Sequence, residues 1–418
     1  MSKIKDIKGY EILDSKGSPT VEAEVILDDG VSVKVSCPSG TSVGSYEAHE
    51  LRDQDPKRFQ GQGVLKAIEN IEKIIAPALK GSSVLNQQEI DRKLIELDGT
   101  ENKSKLGGNA ILSVSMAVAK AGAKKTNVPL FLYIRQMIKK DGHPARIPIP
   151  CFNLINGGKH ADNNLDFQEF LLIPASSKSY SDCLQIGTTI YSFLENKLKT
   201  LNLSTLVGLE GGFGPNFSGN NDALDILRQT INSSSFKFGF DVFLGLDVAA
   251  TSFFREESYH MKDNHMSLSS SDLIYYLKGF ITEYNLLYLE DPLFEDDWDS
   301  WTKITQEQPQ VVVIGDDLIA TNPYRLQIAI NKKAITGVVI KPNQIGTVTE
   351  ALAVLEIARA SNLKIIVSHR SAETNDDFIA DFAVGVGSDY VKFGAPARGE
   401  RVAKYNRLLE IERIIKTS

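Results

Sequence analysis

The sequence predicts an α/β protein, with an α+β amino-terminal domain over residues 1–135 and a β/α barrel over residues 140–418. Three observations carry the prediction. A chain of 418 residues exceeds what one ordinary core serves, so two domains are expected. The first stretch alternates and turns like an antiparallel sheet. Beyond about residue 240, short apolar runs end again and again in a polar residue, with helical segments between them.

The elements follow in order. Lys3 to Leu13 alternates loosely and meets the turn Asp14–Pro19. Thr20 to Leu27 is a β-branched run, followed by the turn Asp28-Asp29-Gly30 and the strand Val31 to Ser36. A loop of small residues, SCPSGTSVGSYEA, comes next. From Pro56 to Lys140 the pattern is mostly helical. The Ala-rich stretch Gly108 to Lys125 is apolar nearly all round, which predicts a buried helix. Pro144 to Pro150 carries three prolines and reads as an extended connector. The apolar runs beyond it end in Asp247, Glu290, Asp316, Lys341, His369 and Lys392. After the first gap these ends recur at intervals of about 25 residues, the length of one strand, one helix and two short loops. Repeated units of this kind predict a parallel sheet, and functional-looking residues on six successive strand ends favour its closure into a barrel over a doubly wound open sheet. A closed barrel gathers those ends on one face.

Bulk properties exclude several classes. Hydrophobic residues make up 42% and charged residues 24%, as in ordinary globular proteins. The net charge of −7 argues against a nucleic-acid footprint. It leaves room for an anionic substrate in a locally cationic cleft. Cys37, Cys151 and Cys183 are far apart and show no zinc spacing, so free thiols in a reducing compartment are expected. The first residues lack a signal-peptide apolar core, and no apolar run reaches the roughly 18 residues that span a bilayer. A cytoplasmic location without membrane attachment is the expectation.

Asp247, Glu290 and Asp316 on successive strand ends would meet at the barrel mouth. Three carboxylates that close repel unless a cation sits between them, and hard oxygen ligands suit Mg²⁺. Taken singly, each acid could equally cap a helix or pair with a lysine. Lys341 and Lys392 should face the same mouth; a lysine beside a metal and another cation has a lowered pKa and can act as a base, while a purely neutralising role is at least as natural for Lys392. Arg370-Ser371 suits a phosphate, and also suits a surface arginine before a helix cap. Glu210 lies in VGLEGGFGPN, and Glu169 lies with His160 and Gln168 in NGGKHADNNLDFQEF; glycine beside such side chains marks a close approach or an ordinary turn. Neither segment has the context of a dinucleotide site or a P-loop.

At these segments, and along the whole chain, the sequence resembles the enolase family. The shared runs include EILDSKGSPTVEAEV, the loop Ser39 to Gly44, LDGTENKSKLGGNAIL, LGLDVAATSFF, LEDPLFEDDW, GDDLIATNP, IKPNQIGT, VSHRSAET and KFGAPARGERVAKYNRLL. The resemblance implies reversible dehydration of 2-phosphoglycerate to phosphoenolpyruvate. It implies two Mg²⁺ per site, the first on Asp247, Glu290 and Asp316, the second arriving with substrate and held through Ser42. Lys341 resembles the base at C2, and Glu210, with Glu169 beside it, the acid at the C3 hydroxyl. Arg370 and Ser371 resemble the phosphate grip. Lys392, at the substrate carboxylate, His160 and Gln168 resemble substrate contacts, with His369 near the leaving group. A lysine base working with Mg²⁺ is a property of that superfamily, carried over here rather than deduced from spacing.

The chain departs from the family pattern at Thr41, Val43, Leu209, Ala372 and Phe393, and Lys16 replaces an arginine. In many relatives the acid matching Glu22 pairs across a dimer with an arginine, and the position matching that arginine is here Glu410. A homodimer or a dimer-based octamer is implied. Another lyase of the same superfamily is the competing reading, opposed by the Ser42 loop and by Arg370-Ser371. A secondary role, as a cell-surface binding protein or scaffold partner, is compatible with the sequence.

Overall fold

A computed structural model of the chain describes residues 2–40, 44, 46–138, 144–262 and 267–417. Strands β1 (Ile4–Leu13), β2 (Pro19–Leu27) and β3 (Ser32–Ser36) form an antiparallel sheet in that order, as the alternation predicts. Val21, Ala23, Val25 and Leu27 alternate inward along β2 and are fully buried. They pack on the helix Gly108–Thr126, which is buried on nearly every side. The cause is its position: β2, β3 and the helices Pro342–Ile345 and Val348–Ala360 all lie against it. Its Ala, Gly and Ser side chains let those backbones approach closely.

A buried acid ties the two halves together. Asp91 accepts hydrogen bonds from the Thr349 backbone N–H (2.9 Å) and hydroxyl (2.6 Å), and from Ser115 Oγ (2.7 Å). Ser115 Oγ in turn accepts from the Val348 N–H at 3.0 Å. Free N–H groups at the start of the helix Val348–Ala360 are thus satisfied from the amino-terminal half.

The second sheet comprises β4 (Ile149–Pro150), β5 (Phe152–Asn156), β6 (Glu169–Pro174), β7 (Val242–Asp247), β10 (Tyr288–Glu290), β11 (Val312–Gly315), β12 (Gly337–Ile340), β13 (Lys364–Ser368) and β14 (Tyr390–Lys392). Between β7 and β10, β8 (Phe254–Arg255) and β9 (Ser258–Tyr259) make a separate hairpin. The order in the large sheet is β4-β14-β13-β12-β11-β10-β7-β6-β5. Its two outermost strands, β4 and β5, are separated along the chain only by Cys151, so one continuous segment joins both edges and closes the barrel. Pro150 is tolerated there because Ile149 and Cys151 donate the N–H bonds to Asp389 and Val391.

The sheet is not parallel throughout. β6 runs antiparallel to both β5 and β7. A parallel partner needs a crossover, usually helical. No helix lies between β5 and β6, and the chain folds straight back. The Pro144–Pro150 connector also differs from expectation, since its last two residues are β4. Among the described residues, no helix is long and apolar enough to cross a membrane.

Candidate active site

The barrel's inward positions explain where the polar residues sit. Cys151, Leu171, Ile173, Tyr288, Ile314, Val339, Ile366 and Tyr390 form one apolar cluster that fills the interior. Side chains repeat inward every second residue. Two residues beyond Tyr288, Ile314, Val339 and Tyr390 come Glu290, Asp316, Lys341 and Lys392. Two beyond Cys151 is Asn153. On the reversed strand the same rule runs backward: Glu169 precedes Leu171 by two, and Glu169 pairs in register with Asp247. Asp247 pairs with Glu290, and Ser368 with Lys392. The mouth therefore collects charge from nearly every strand.

The cavity at the mouth takes in about 450 Å³ of space outside the protein atoms, open solvent at its rim included. It is lined by His160, Gln168, Glu169, Glu210, Asp247, Asp316, Lys341, His369, Arg370, Ser371 and Lys392, together with Glu47, Asp291 and Asp317. Glu290 lies fully buried against it, and Ser42, with Thr41 and Val43, falls outside the described residues. Left-handed non-glycine residues follow three strands at this rim: Ala249 (φ 46°), Asp291 (φ 41°), and Ala320 and Thr321 (both φ 50°). Such strain clusters where a fold holds functional groups.

Lys392 Nζ stands over the acids, donating to Glu290 Oε1 (2.6 Å), Asp247 Oδ2 (2.9 Å) and Glu169 Oε1 (3.1 Å). Lys341 Nζ pairs with Asp316. Burial pulls the Lys341 ammonium down, with Arg370 and Lys392 acting the same way, but Asp316 and Glu290 outweigh them and its pKa is raised. The ion pair with Asp316 dominates its surroundings. Glu290 is pushed up to about 8 by burial and by Asp247. Asp317 is raised to about 7 by burial and by Asp316.

Beside Asp247, Glu169 forms a second acid pair with Glu210. Burial and the charge of Glu210 hold the Glu169 carboxyl well above the usual range. Burial would raise Glu210 too, but His160, His369 and Arg401 around it outweigh burial and hold it low. In this state the proton belongs on Glu169. His160 Nδ1 lies 3.7 Å from both acids, and Asn153 Nδ2 donates to Glu210 Oε2 at 3.1 Å. Arg370 grips Glu47 of the amino-terminal half, Nη1 to Oε2 at 2.7 Å and Nη2 to Oε1 at 3.3 Å.

The donor set fits a hard divalent cation. Carboxylates outnumber the two lysines, and Asp247 Oδ1 and Glu169 Oε2 are buried without a hydrogen-bond partner. Asp247 and Glu290 meet across Lys392, while Asp316 gathers with Asp291 and Asp317, one ligand atom from each lying within 4.8 Å of the others. His160, Glu169 and Glu210 form a similar group. Nothing in the local sequence sets Glu47, Asn153 or Arg401 apart. LEDP and GDDL do carry a second acid beside each expected one, a signal for Asp291 and Asp317.

Comparison with known families agrees with this architecture. Residues 144–418 match the family model described as Enolase, C-terminal TIM barrel domain, which makes the chain a barrel lyase of the enolase superfamily. Residues 4–134 match the model Enolase, N-terminal domain. The two matches span nearly the whole chain, and it belongs to the enolase family.

Proposed function

We propose that the protein catalyses the reversible dehydration of 2-phospho-D-glycerate to phosphoenolpyruvate, the glycolytic and gluconeogenic reaction. The observation that carries this reading is one cavity combining an acid floor, two buried lysines and the Arg370-Ser371 pair. The pair suits a phosphate, the lysines suit a carboxylate and the proton beside it, and the Glu169–Glu210 pair suits a leaving hydroxyl.

Asp247, Glu290 and Asp316 would hold one Mg²⁺, and Ser42 would help hold a second with substrate. Bound there, Mg²⁺ supplies Lewis-acid stabilisation of the charge that builds on the substrate carboxylate. Lys341 takes the proton from C2. The electron pair left behind forms the C2–C3 double bond as the C3–O bond breaks, and a proton delivered through Glu210 from Glu169 turns the departing hydroxyl into water. For Lys341 to be a base it must first lose its own proton. Drawing both Asp316 and Glu290 away leaves burial, Arg370 and Lys392, and all three lower its pKa. Lys392 and Gln168 position the carboxylate end, with His160 and His369 on the leaving-group side. The three thiols are free, which supports a reducing, cytoplasmic setting.

The test is the absorbance of phosphoenolpyruvate formed from 2-phosphoglycerate, with Mg²⁺ and with excess chelator. Product forms with Mg²⁺, disappears on chelation and returns on replenishment. Full activity in chelator would contradict the metal assignment, and no product under any condition would contradict the substrate.

A further inference from the structure

Arg401 enters the site from the carboxy-terminal helix Gly399–Thr417 and is fully buried. Its Nη1 lies 2.8 Å from His369 Nδ1 and 2.6 Å from the Arg370 carbonyl oxygen. Its Nη2 donates to the carbonyls of Ser371 (2.6 Å) and Leu209 (3.1 Å). All four Nη hydrogens are thus used. They tie the Glu210 loop to the His369–Ser371 loop, the two segments that face the leaving-group side.

A guanidinium has donors and no acceptor. His369 Nδ1, facing Nη1, must therefore present its lone pair, and in a neutral ring the proton then sits on Nε2. That second nitrogen is buried 3.2 Å from Glu210 Oε2, off the line of a well-aligned hydrogen bond. The ring is held in place, with Gly394 against its Cε1 edge so closely that a Cβ there would come within 2.9 Å.

We propose that Arg401 locks His369 in the neutral tautomer protonated on Nε2, making it a fixed hydrogen-bond donor to the leaving oxygen. On this assignment Arg401 is a positioning residue. It acts on substrate only through His369, and it aims that ring's N–H beside the carboxylate that serves the same oxygen. The charged groups around the ring are Glu210, Arg401 and Glu373. Burial pulls the imidazole down to about 4 against the attraction of Glu210, so the ring stays neutral at working pH. The use of the donor rests on the proposed dehydration; the tautomer does not.

The experiment is nitrogen NMR of the full-length protein labelled with ¹⁵N-histidine, His369 being assigned by the signal lost in His369→Gln. The expected result is a neutral ring protonated on Nε2 from pH 6 to pH 9. A proton on Nδ1, or a charged ring at pH 7, would overturn the proposal. In Arg401→Lys the ring should become a mixture of tautomers, and kcat should fall about tenfold or more with KM within about twofold. An unchanged tautomer and an unchanged kcat in that variant would also overturn it. If Arg401→Lys fails to fold, the wild-type spectrum decides alone. A correct tautomer in a protein that does not dehydrate 2-phosphoglycerate would refute the function and leave the lock standing.

Discussion

At the scale of single residues, the buried Arg370–Glu47 pair makes the sharpest energetic claim. Both side chains are almost wholly buried, and each is the other's principal charge partner. Removing one partner of a buried pair strands the other, which costs about 3–5 kcal/mol. Glu47→Ala should lose stability on that scale, read from the midpoint of urea unfolding. A loss under about 1 kcal/mol would mean that Arg370 finds water or another acid. The sequence marks Arg370 but not Glu47, because the partners are 323 positions apart. Long-range pairs leave no mark in local spacing. Arg401 was hidden for a related reason: in GERVAKYN it looks like any helix-surface arginine.

At the scale of elements, two helical glycines show how packing overrides propensity. Gly187, in the helix Tyr180–Thr200, faces Phe152 of β5, and a Cβ there would sit 2.5 Å from a ring carbon. Gly279, in the helix Ser270–Glu283, has no atom within 4 Å of the same position. Alanine favours a helix interior by about 1 kcal/mol over glycine. Gly279→Ala should therefore raise Tm, while Gly187→Ala should lower stability by about 1–3 kcal/mol through overpacking. Thermal unfolding of both variants reads the signs, and equal shifts would contradict the packing described. The barrel strands were legible because buried strands read as short apolar runs that stop at a charge. The direction of β6 was not, since FLLI carries the same apolar signal whichever way the strand runs. The link across Cys151 was hidden for a different reason: prolines that usually mark a connector sit here at positions needing no N–H.

At the scale of the whole molecule, both halves contribute to one site, Glu47 from the first and the strand ends from the second, with Asp91 joining them. A closely packed molecule of this kind should protect its thiols. Cys37, Cys151 and Cys183 are buried, and burial pushes the Cys183 thiol up to about 12. At pH 8 only about one part in ten thousand of Cys183 is thiolate, so iodoacetamide should leave the native protein unlabelled and modify all three after unfolding. Rapid labelling of native protein, followed by mass spectrometry, would contradict the burial. The central claim is that two different groups handle the two protons, and hydrogen exchange tests it most directly. Lys341→Ala and Glu210→Gln are each incubated with 2-phosphoglycerate and Mg²⁺ in D₂O, and the C2 proton is followed by NMR. With Lys341 as base, Lys341→Ala should show neither exchange nor product. Glu210→Gln should form no product yet still exchange the C2 proton, because the base remains. Exchange that persists in Lys341→Ala, or vanishes in Glu210→Gln while substrate still binds, would contradict the account.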